Sequence, residues 1–173
     1  MRFPSKSCIL SAFCPAPTGP KAKFGRVCMA QVQKSVLVNY SAKQMFDLVD
    51  RVEDYPQFLP WCGGSEVTQR DDLVTVATIQ IDYLQVKQSF TTENTKQAPH
   101  LMHIKLRNGP FKELDGSWRF IELNPTACKI EFSLHYEFSN RLIEIILGPV
   151  FSHIANSLVD AFVLRAEKIY PAP

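Results

Sequence analysis

Positions 127 to 138 alternate between apolar and mostly polar residues without a break. The even positions carry the apolar side chains, which are Cys128, Ile130, Phe132, Leu134, Tyr136 and Phe138. The odd positions carry small, polar or charged side chains, from Ala127 to Glu137. Because successive side chains of a strand point to opposite faces, this pattern predicts a strand with one buried and one solvated face.

A helical period replaces the alternation after Asn140. Apolar residues then recur three, four or seven positions apart, the spacing of one helix face. They are Leu142, Ile145, Ile146, Val150, Ile154, Leu158, Phe162 and Ile169. The pair Gly148-Pro149 predicts a kink or local break in this helix. Charged residues such as Glu144 and Asp160 interrupt it, which argues against a membrane span.

The chain before these two elements predicts one strand, two short helical segments and a run of further strands. The first strand covers 32–39, and Ser41 then begins a short helix as its N-cap. Two prolines limit 52–62 to a short helix or turns. The further strands cover 66–69, 73–83, 86–94, 101–107 and 114–123. Short turns between consecutive strands favour an antiparallel sheet. A one-faced sheet followed by a long apolar helix suggests that the sheet folds around that helix.

The composition is that of one globular domain, with 173 residues, 46% of them hydrophobic and 21% charged. The net charge of +2 hides an uneven distribution. Residues 1–29 hold five basic and no acidic residues, whereas the remainder holds 14 basic and 17 acidic residues. We do not expect a domain with this slightly acidic balance to bind DNA through bulk charge.

The first 28 residues differ from the rest of the chain. They contain four prolines and three of the five cysteines, and they show no helical or strand period. Their longest apolar run is too short for a secretory signal. We interpret residues 1–28 as a disordered basic leader, or as an extension upstream of a working start at Met29, and residues 29–173 as the domain. The remaining cysteines, Cys62 and Cys128, make no disulfide framework, which fits a reducing cytoplasm.

No residue pattern indicates catalysis or a metal site. The sequence has no metalloprotease, phosphate-loop, dinucleotide or nucleophile-elbow motif. His100 and His103 would lie on opposite faces of one strand, and Cys62 has no identifiable histidine partner. We therefore expect a protein that is not an enzyme and that has no catalytic residue, metal or cofactor.

Two loop motifs resemble those of a known family. They are residues 55–62, with the sequence YPQFLPWC, and residues 109–114, with the sequence GPFKEL. With Gly116, Trp118, Phe120 and the segments 128–132 and 138–144, they make residues 30–170 similar to the coenzyme Q-binding protein and ribosome association toxin A family. This family belongs to the START-like superfamily of polyketide cyclase and lipid-transport domains. The resemblance implies an α+β helix-grip fold, in which a curved antiparallel sheet of about six or seven strands wraps around the long C-terminal helix. It also implies a hydrophobic tunnel between sheet and helix.

The resemblance implies two functions of different classes. The leading one is non-catalytic binding of ubiquinone or a related polyprenyl lipid in support of respiration. The alternative is a toxin that binds the large ribosomal subunit, blocks subunit association and inhibits translation initiation. We expect a cytoplasmic protein. Transient contact with the membrane surface would place it at the periphery of the inner membrane.

Strand parity and helix spacing place fourteen apolar residues between sheet and helix. The strands contribute Phe90, Met102, Ile104, Leu106, Trp118, Phe120, Phe132, Leu134 and Tyr136, and the helix contributes Ile146, Val150, Ile154, Leu158 and Phe162. They either fill an ordinary core or line a tunnel, and the family resemblance favours the tunnel. Its mouth is expected at Pro60, Trp61, Gly109, Pro110, Phe111 and Lys112. There, residues 108–114 form either a gate that contacts the head group of the ligand or an ordinary hairpin turn.

Five basic residues of neighbouring strands are expected on the opposite, convex face. They are Lys87, Lys105, Arg107, Arg119 and Lys129. They form either a modest site for ribosomal RNA or a mixed solvated face, because Glu113, Glu122 and Glu131 dilute their charge.

Overall fold

The computed structural model describes residues 29–170, which form seven strands, two α-helices and one 3₁₀ helix. The elements are β1 (Ala30–Val38), α1 (Ala42–Asp50), a 3₁₀ helix (Val52–Gln57), β2 (Cys62–Arg70), β3 (Val74–Tyr83), β4 (Val86–Gln97), β5 (Leu101–Asn108), β6 (Phe111–Asn124), β7 (Ala127–Phe138) and α2 (Arg141–Ile169). The predicted leader, 1–28, lies outside the described residues, as do residues 171–173.

The seven strands form one antiparallel sheet with the order β1-β7-β6-β5-β4-β3-β2. Strands β2 to β7 are a simple meander in which each strand pairs with the next one along the chain. Strand β1 returns to the other edge and pairs with β7, with Ala30 opposite Tyr136. The long helix α2 packs against α1, β1 and β7. This is the helix-grip arrangement, so the predicted fold class is confirmed.

The inward faces of β6 and β7 follow the predicted alternation. All six even-numbered side chains of β7, from Cys128 to Phe138, are buried, and the odd-numbered ones between them are half-buried. In β6, Leu114, Trp118 and Phe120 lie on the same buried side. These central strands have one face against α2 and one face towards water, which is the condition under which a period of two is clearest.

Helix α1 begins at the predicted N-cap. The Ser41 hydroxyl accepts a hydrogen bond from the backbone N–H of Gln44, and the Gln44 side chain accepts one from the N–H of Ser41. This reciprocal pair satisfies two of the backbone donors that a helix start leaves free. The following 3₁₀ helix is tied to α1, because the Tyr55 hydroxyl donates to the carbonyl oxygen of Val49 at 2.7 Å.

Helix α2 is capped by Asn140 and is continuous through Gly148 and Pro149. Of the two outcomes predicted for this pair, the local break is therefore wrong, and the kink stays a prediction. Pro149 lacks the N–H that would bond to the carbonyl of Ile145. Ile145 is 63% exposed, so the missing bond lies in a turn of α2 that the sheet leaves open to water.

The buried stripe of α2 begins later than the sequence predicts. Its members are Leu147, Val150, Phe151, Ile154, Ala155, Val159, Phe162 and Ala166. Leu142, Ile145 and Ile146 are 63–74% exposed, and Ile169 is 42% exposed. Ile146 lies one turn before Val150 on the same helix face, so its exposure shows that the cover provided by the sheet ends before this turn.

The length and composition of α2 alone would allow it to cross a membrane, with a mean hydropathy of 1.6 over an 18-residue window. One third of that window is buried inside the domain. The core helix of a globular domain has the same properties, and the buried stripe identifies α2 as such a helix.

Candidate functional site

A cavity lies between α2 and the middle of the sheet. Because α2 packs on α1, β1 and β7, its remaining face only partly fills the concave side of β3, β4 and β5. The cavity has a volume of about 70 Å³. An engineered cavity of about 150 Å³ binds benzene, and pockets for larger ligands span roughly 300–1,000 Å³. The present cavity therefore accommodates a small group, and a larger ligand requires its walls to move apart.

The structure brings eight of the fourteen predicted tunnel residues together around this cavity. They are Phe90, Met102, Ile104, Trp118, Phe132, Leu134, Ile154 and Leu158. The indole of Trp118 lies 4.4 Å from the ring of Phe132, measured between ring centroids. Both walls are therefore mainly apolar, with Phe90, Trp118 and Phe132 as the aromatic side chains of the sheet and Phe151 as that of α2.

The other six predicted tunnel residues lie elsewhere. Phe120 and Phe162 are 1% exposed and fill solid core. Tyr136 packs on Phe151 in an aromatic cluster, with a centroid distance of 4.7 Å. Val150 borders a separate small void beside Phe111. The prediction for the remaining two is also corrected: Ile146 is 64% exposed near the start of α2, and the half-buried Leu106 packs near Gly109 at the end of β5.

Several lining residues were missed by the sequence prediction. Val49, Val52 and Tyr55 reach the cavity from α1 and the 3₁₀ helix, and no sequence pattern indicated that these helices would close one end of it. Thr92 and Asn94 also line it. They share strand parity with Phe90, which is the signal that places them inside, but only apolar residues were considered for the inward face.

The predicted mouth is only partly assembled. Trp61 is 4% exposed and lines the cavity, whereas Pro60 is exposed. Phe111 is not an exposed tip: it is 6% exposed and packs on Phe138 and Phe151, with centroid distances of 5.0 and 4.7 Å.

The turn before Phe111 has the geometry of a close-packed hairpin. Gly109 has a φ of +149° and lies against the Cβ of Phe90, and the adjacent Pro110 borders the small void beside Phe111. The exposed Lys112 donates to a Glu137 carboxylate oxygen at 2.8 Å. The segment 108–114 thus resembles a firmly packed turn more than a free gate.

Lys96, near the end of β4, belongs to a small, largely buried hydrogen-bond network. The Lys96 ammonium donates to Asp50 Oδ2 at 3.1 Å, and the Thr75 hydroxyl donates to Asp50 Oδ1 at 3.0 Å. The Lys96 side chain is 5% exposed. Asn94 lies opposite Thr75 in the sheet and two residues before Lys96 in β4. Its Oδ1 atom is nevertheless buried without a hydrogen-bond partner among the described residues.

The basic residues of the convex face lie among carboxylates. Arg107 pairs with Glu93, and both Arg119 and Lys129 pair with Glu131. Lys87 pairs with Asp82 at 3.2 Å, and Lys105 is flanked in the sheet by Glu93 and Asp115. The mixed face was one of the two interpretations of the sequence, and the geometry agrees with it.

The two cysteines of the described region are buried thiols. Burial raises the pKa of Cys128 to about 11 and also raises the pKa of Cys62. Both therefore stay protonated and weakly nucleophilic near neutral pH. Within residues 29–170, no three His, Cys, Asp or Glu side chains converge in a way that could hold a metal ion.

Comparison with known proteins gives consistent matches. The family model for polyketide cyclase/dehydrase and lipid transport matches residues 38–163. The ribosome association toxin RatA of Escherichia coli (strain K12) is 40% identical over 146 residues, which cover 84% of this chain and 92% of that protein. The mitochondrial coenzyme Q-binding protein COQ10 homolog B of Xenopus laevis is 26% identical, covering 98% of this chain and 77% of that protein. Among solved structures, the Zhui aromatase/cyclase from Streptomyces sp. R1128 has a TM-score of 0.72 at 14% identity, covering 84% of this chain and 98% of that one. At 14% identity, the similarity to this aromatase/cyclase concerns the fold alone.

Proposed function

The chain belongs to the polyketide cyclase/dehydrase and lipid transport family, as its loop motifs indicated, and from this premise we propose that it binds an apolar ligand without catalysis. The ligand class is ubiquinone or a related polyprenyl lipid. The observation that carries the proposal is the aromatic cavity under α2, whose walls include Trp61, Trp118 and Phe132. The coenzyme Q-binding relative supports the choice of ligand.

Apolar burial provides the binding free energy in this proposal. Each Å² of apolar surface removed from water contributes about 25 cal/mol, so an isoprenoid ligand needs no charged anchor. The buried thiols of Cys62 and Cys128, with their raised pKa values, offer no ready nucleophile beside the cavity. Binding without covalent chemistry is therefore the activity that these residues support.

Entry of the ligand requires α2 to move away from β3, β4 and β5, because the cavity is only about 70 Å³. The helix is held on its other side by α1, β1 and β7. On the opening side, the ring of His153 stacks on that of Tyr83 with a centroid distance of 5.8 Å. We propose that this stacked pair separates when the ligand enters.

Mass spectrometry of lipid extracted from the purified full-length protein tests the proposal. We expect a quinone or polyprenyl lipid at close to one molecule per chain. Ala155→Leu should abolish its retention, because Ala155 is 1% exposed and borders the cavity, so the added carbons occupy the ligand's space. Asn156→Leu, at the exposed neighbouring position, should retain the lipid. Absence of lipid from the wild type, or equal amounts in all three proteins, would contradict the proposal.

Association with the large ribosomal subunit is the second candidate. It is favoured by the 40% identity to proteins named ribosome association toxin, which exceeds the 26% identity to the coenzyme Q-binding relative. In this proposal, Lys105 and Arg107 of β5 contact ribosomal RNA, and the carboxylate partner of Arg107 is exchanged for phosphate. The two functions use opposite faces of the sheet and can therefore be separated by mutation.

Reversing Lys105 and Arg107 to glutamate tests the ribosome contact. The wild-type chain should co-sediment with large subunits, and the binding should weaken as salt rises, because each phosphate contact releases counterions. The double reversal should abolish sedimentation while the amount of extracted lipid stays unchanged. Reversal of Lys43 and Lys168, two exposed lysines of the helices, provides a control of equal charge and should have little effect. Salt-independent binding, or equal loss in both variants, would exclude this contact.

A further inference from the structure

Strand β4 carries a row of polar side chains on its inward face. Phe90, Thr92, Asn94 and Lys96 alternate with outward residues, and all four are buried. Thr92 and Asn94, which are 3% and 7% exposed, both border the cavity, whose other lining residues are almost all apolar. The cavity therefore has one polar side within an apolar enclosure.

The neighbours of Asn94 use their hydrogen bonds elsewhere. Lys96 and Thr75 both donate to the Asp50 carboxylate. These bonds close a network at the end of the concave face and leave the Asn94 Oδ1 atom without a partner among the described residues. The network of Lys96, Thr75 and Asp50 does not include Asn94. The side chain of Asn94 borders the cavity instead.

A buried carboxamide oxygen without a partner disfavours folding, because it loses its bonds to water and gains none in return. A leucine of similar shape would fill the same position without that loss. A ligand group that pairs with the amide inside the cavity would offset this cost. The unpaired atom is the acceptor of the carboxamide, so it matches a ligand hydroxyl, which donates, and not a carbonyl oxygen, which only accepts.

We infer that Asn94, with Thr92 beside it, binds a hydroxyl on the ring of the ligand, as in the reduced, quinol form of a quinone. This inference rests on the proposed binding function and adds an orientation to it. The ring lies between the carboxamide and the aromatic wall formed by Trp118 and Phe132, and the hydrocarbon tail extends towards the outside. A tail placed inwards would leave the Asn94 amide unpaired, so the ligand is an oxygenated ring with an apolar chain rather than a plain hydrocarbon.

Two probes separate recognition of the ring oxygens from apolar burial. Decylubiquinol, kept reduced under nitrogen, has two ring hydroxyls, and decylbenzene has the same chain on a ring without oxygen. Their affinities for the full-length protein can be measured by displacement of anilinonaphthalene sulfonate. Quenching of tryptophan fluorescence by the oxidised form, decylubiquinone, reports whether the same ring system enters the cavity, because the two tryptophans of the chain, Trp61 and Trp118, both line it.

The wild type should prefer decylubiquinol over decylbenzene by about tenfold, the value of one or two good hydrogen bonds. In Asn94→Leu the preference should fall below about twofold, with the affinity for decylbenzene unchanged or higher. Asn94→Val, which suits a strand, provides a second variant if leucine packs poorly. Thr95→Val, at the exposed neighbouring position of β4, should keep the wild-type preference.

The ligand-free stability provides an independent readout. If Asn94 pairs only with ligand, Asn94→Leu should melt at the wild-type temperature or above it. A lower melting temperature for both variants would assign the amide a structural role and overturn the inference. Retention of the tenfold preference in both variants, or equal affinity of the wild type for both probes, would also overturn it while leaving the proposed function intact. Failure of the wild type to bind either probe would instead contradict the proposed function.

Discussion

Replacement of Ile154 by arginine should unfold the domain or expel its ligand. Ile154 is 3% exposed, lies in the middle of α2 and borders the cavity. Among residues 29–170 no carboxylate borders the cavity, and Asp50 of α1 already accepts bonds from Lys96 and Thr75. A buried guanidinium without a partner costs several kcal/mol, that is, about 3–5 kcal/mol. Urea unfolding followed by circular dichroism, together with lipid extraction, measures both consequences.

Ile146 provides the matched control on the same helix. The sequence places it on the same face as Ile154, but it is 64% exposed at the start of α2. Ile146→Arg should therefore change the free energy of unfolding by less than about 0.5 kcal/mol, as is usual for surface substitutions. If both variants fold normally and retain lipid, α2 does not present Ile154 to the cavity. If Ile146→Arg is as damaging as Ile154→Arg, the sheet covers more of the helix than the structure indicates.

The sheet could be predicted well from the sequence because its central strands face water on one side only. In β7 the apolar residues from Cys128 to Phe138 occupy every second position, and all of them are buried. The start and type of α1 were also predictable, since Ser41 and Gln44 form a local capping pair. Local chemistry and strict alternation are signals that do not depend on distant parts of the fold.

The buried face of α2 was harder to predict, because the hydrophobicity of its residues does not show how far the sheet extends along the helix. Leu142, Ile145 and Ile146 are as apolar as the residues that follow, but the sheet does not reach them. Conversely, Leu147 and Phe151 are buried although the predicted stripe omitted them. The helix has apolar residues on several faces, so its sequence alone does not select one.

The sequence predicted which face of the strands lines the site, but it did not predict where that face borders a cavity. Strand parity correctly placed Trp118, Phe132 and Phe120 on the inward side, but only the first two border open space. Phe120 instead packs on Phe46 of α1 at a centroid distance of 5.8 Å. A cavity is the mismatch between two packed surfaces, and that mismatch depends on where α1 and α2 come to rest. The polar Asn94 was missed for a different reason, since a search for apolar residues ignores an amide on an inward face.

The turn between β5 and β6 should be intolerant of any side chain at Gly109. Its φ of +149° lies in a region that residues with a Cβ rarely adopt. An added Cβ would also lie 2.6 Å from the Cβ of Phe90 and 3.2 Å from its Cα. Because these atoms belong to or adjoin the backbone of β4, no rotamer change relieves the contact, and the strand itself must shift.

Gly109→Ala should therefore lower the free energy of unfolding by about 2–4 kcal/mol, which combines backbone strain with the steric contact. For a domain of this size, each kcal/mol corresponds to roughly 2–4 °C in the melting temperature. Asn108→Ala, one residue earlier at an exposed position, should shift the melt by no more than about 2 °C, the scale of a surface change. Since Phe90 also borders the cavity, the Gly109 variant should retain less lipid than the Asn108 variant at temperatures where both remain folded. A Gly109→Ala protein that melts with the wild type would mean that the turn adopts an ordinary backbone conformation in solution and that β4 is not held against it.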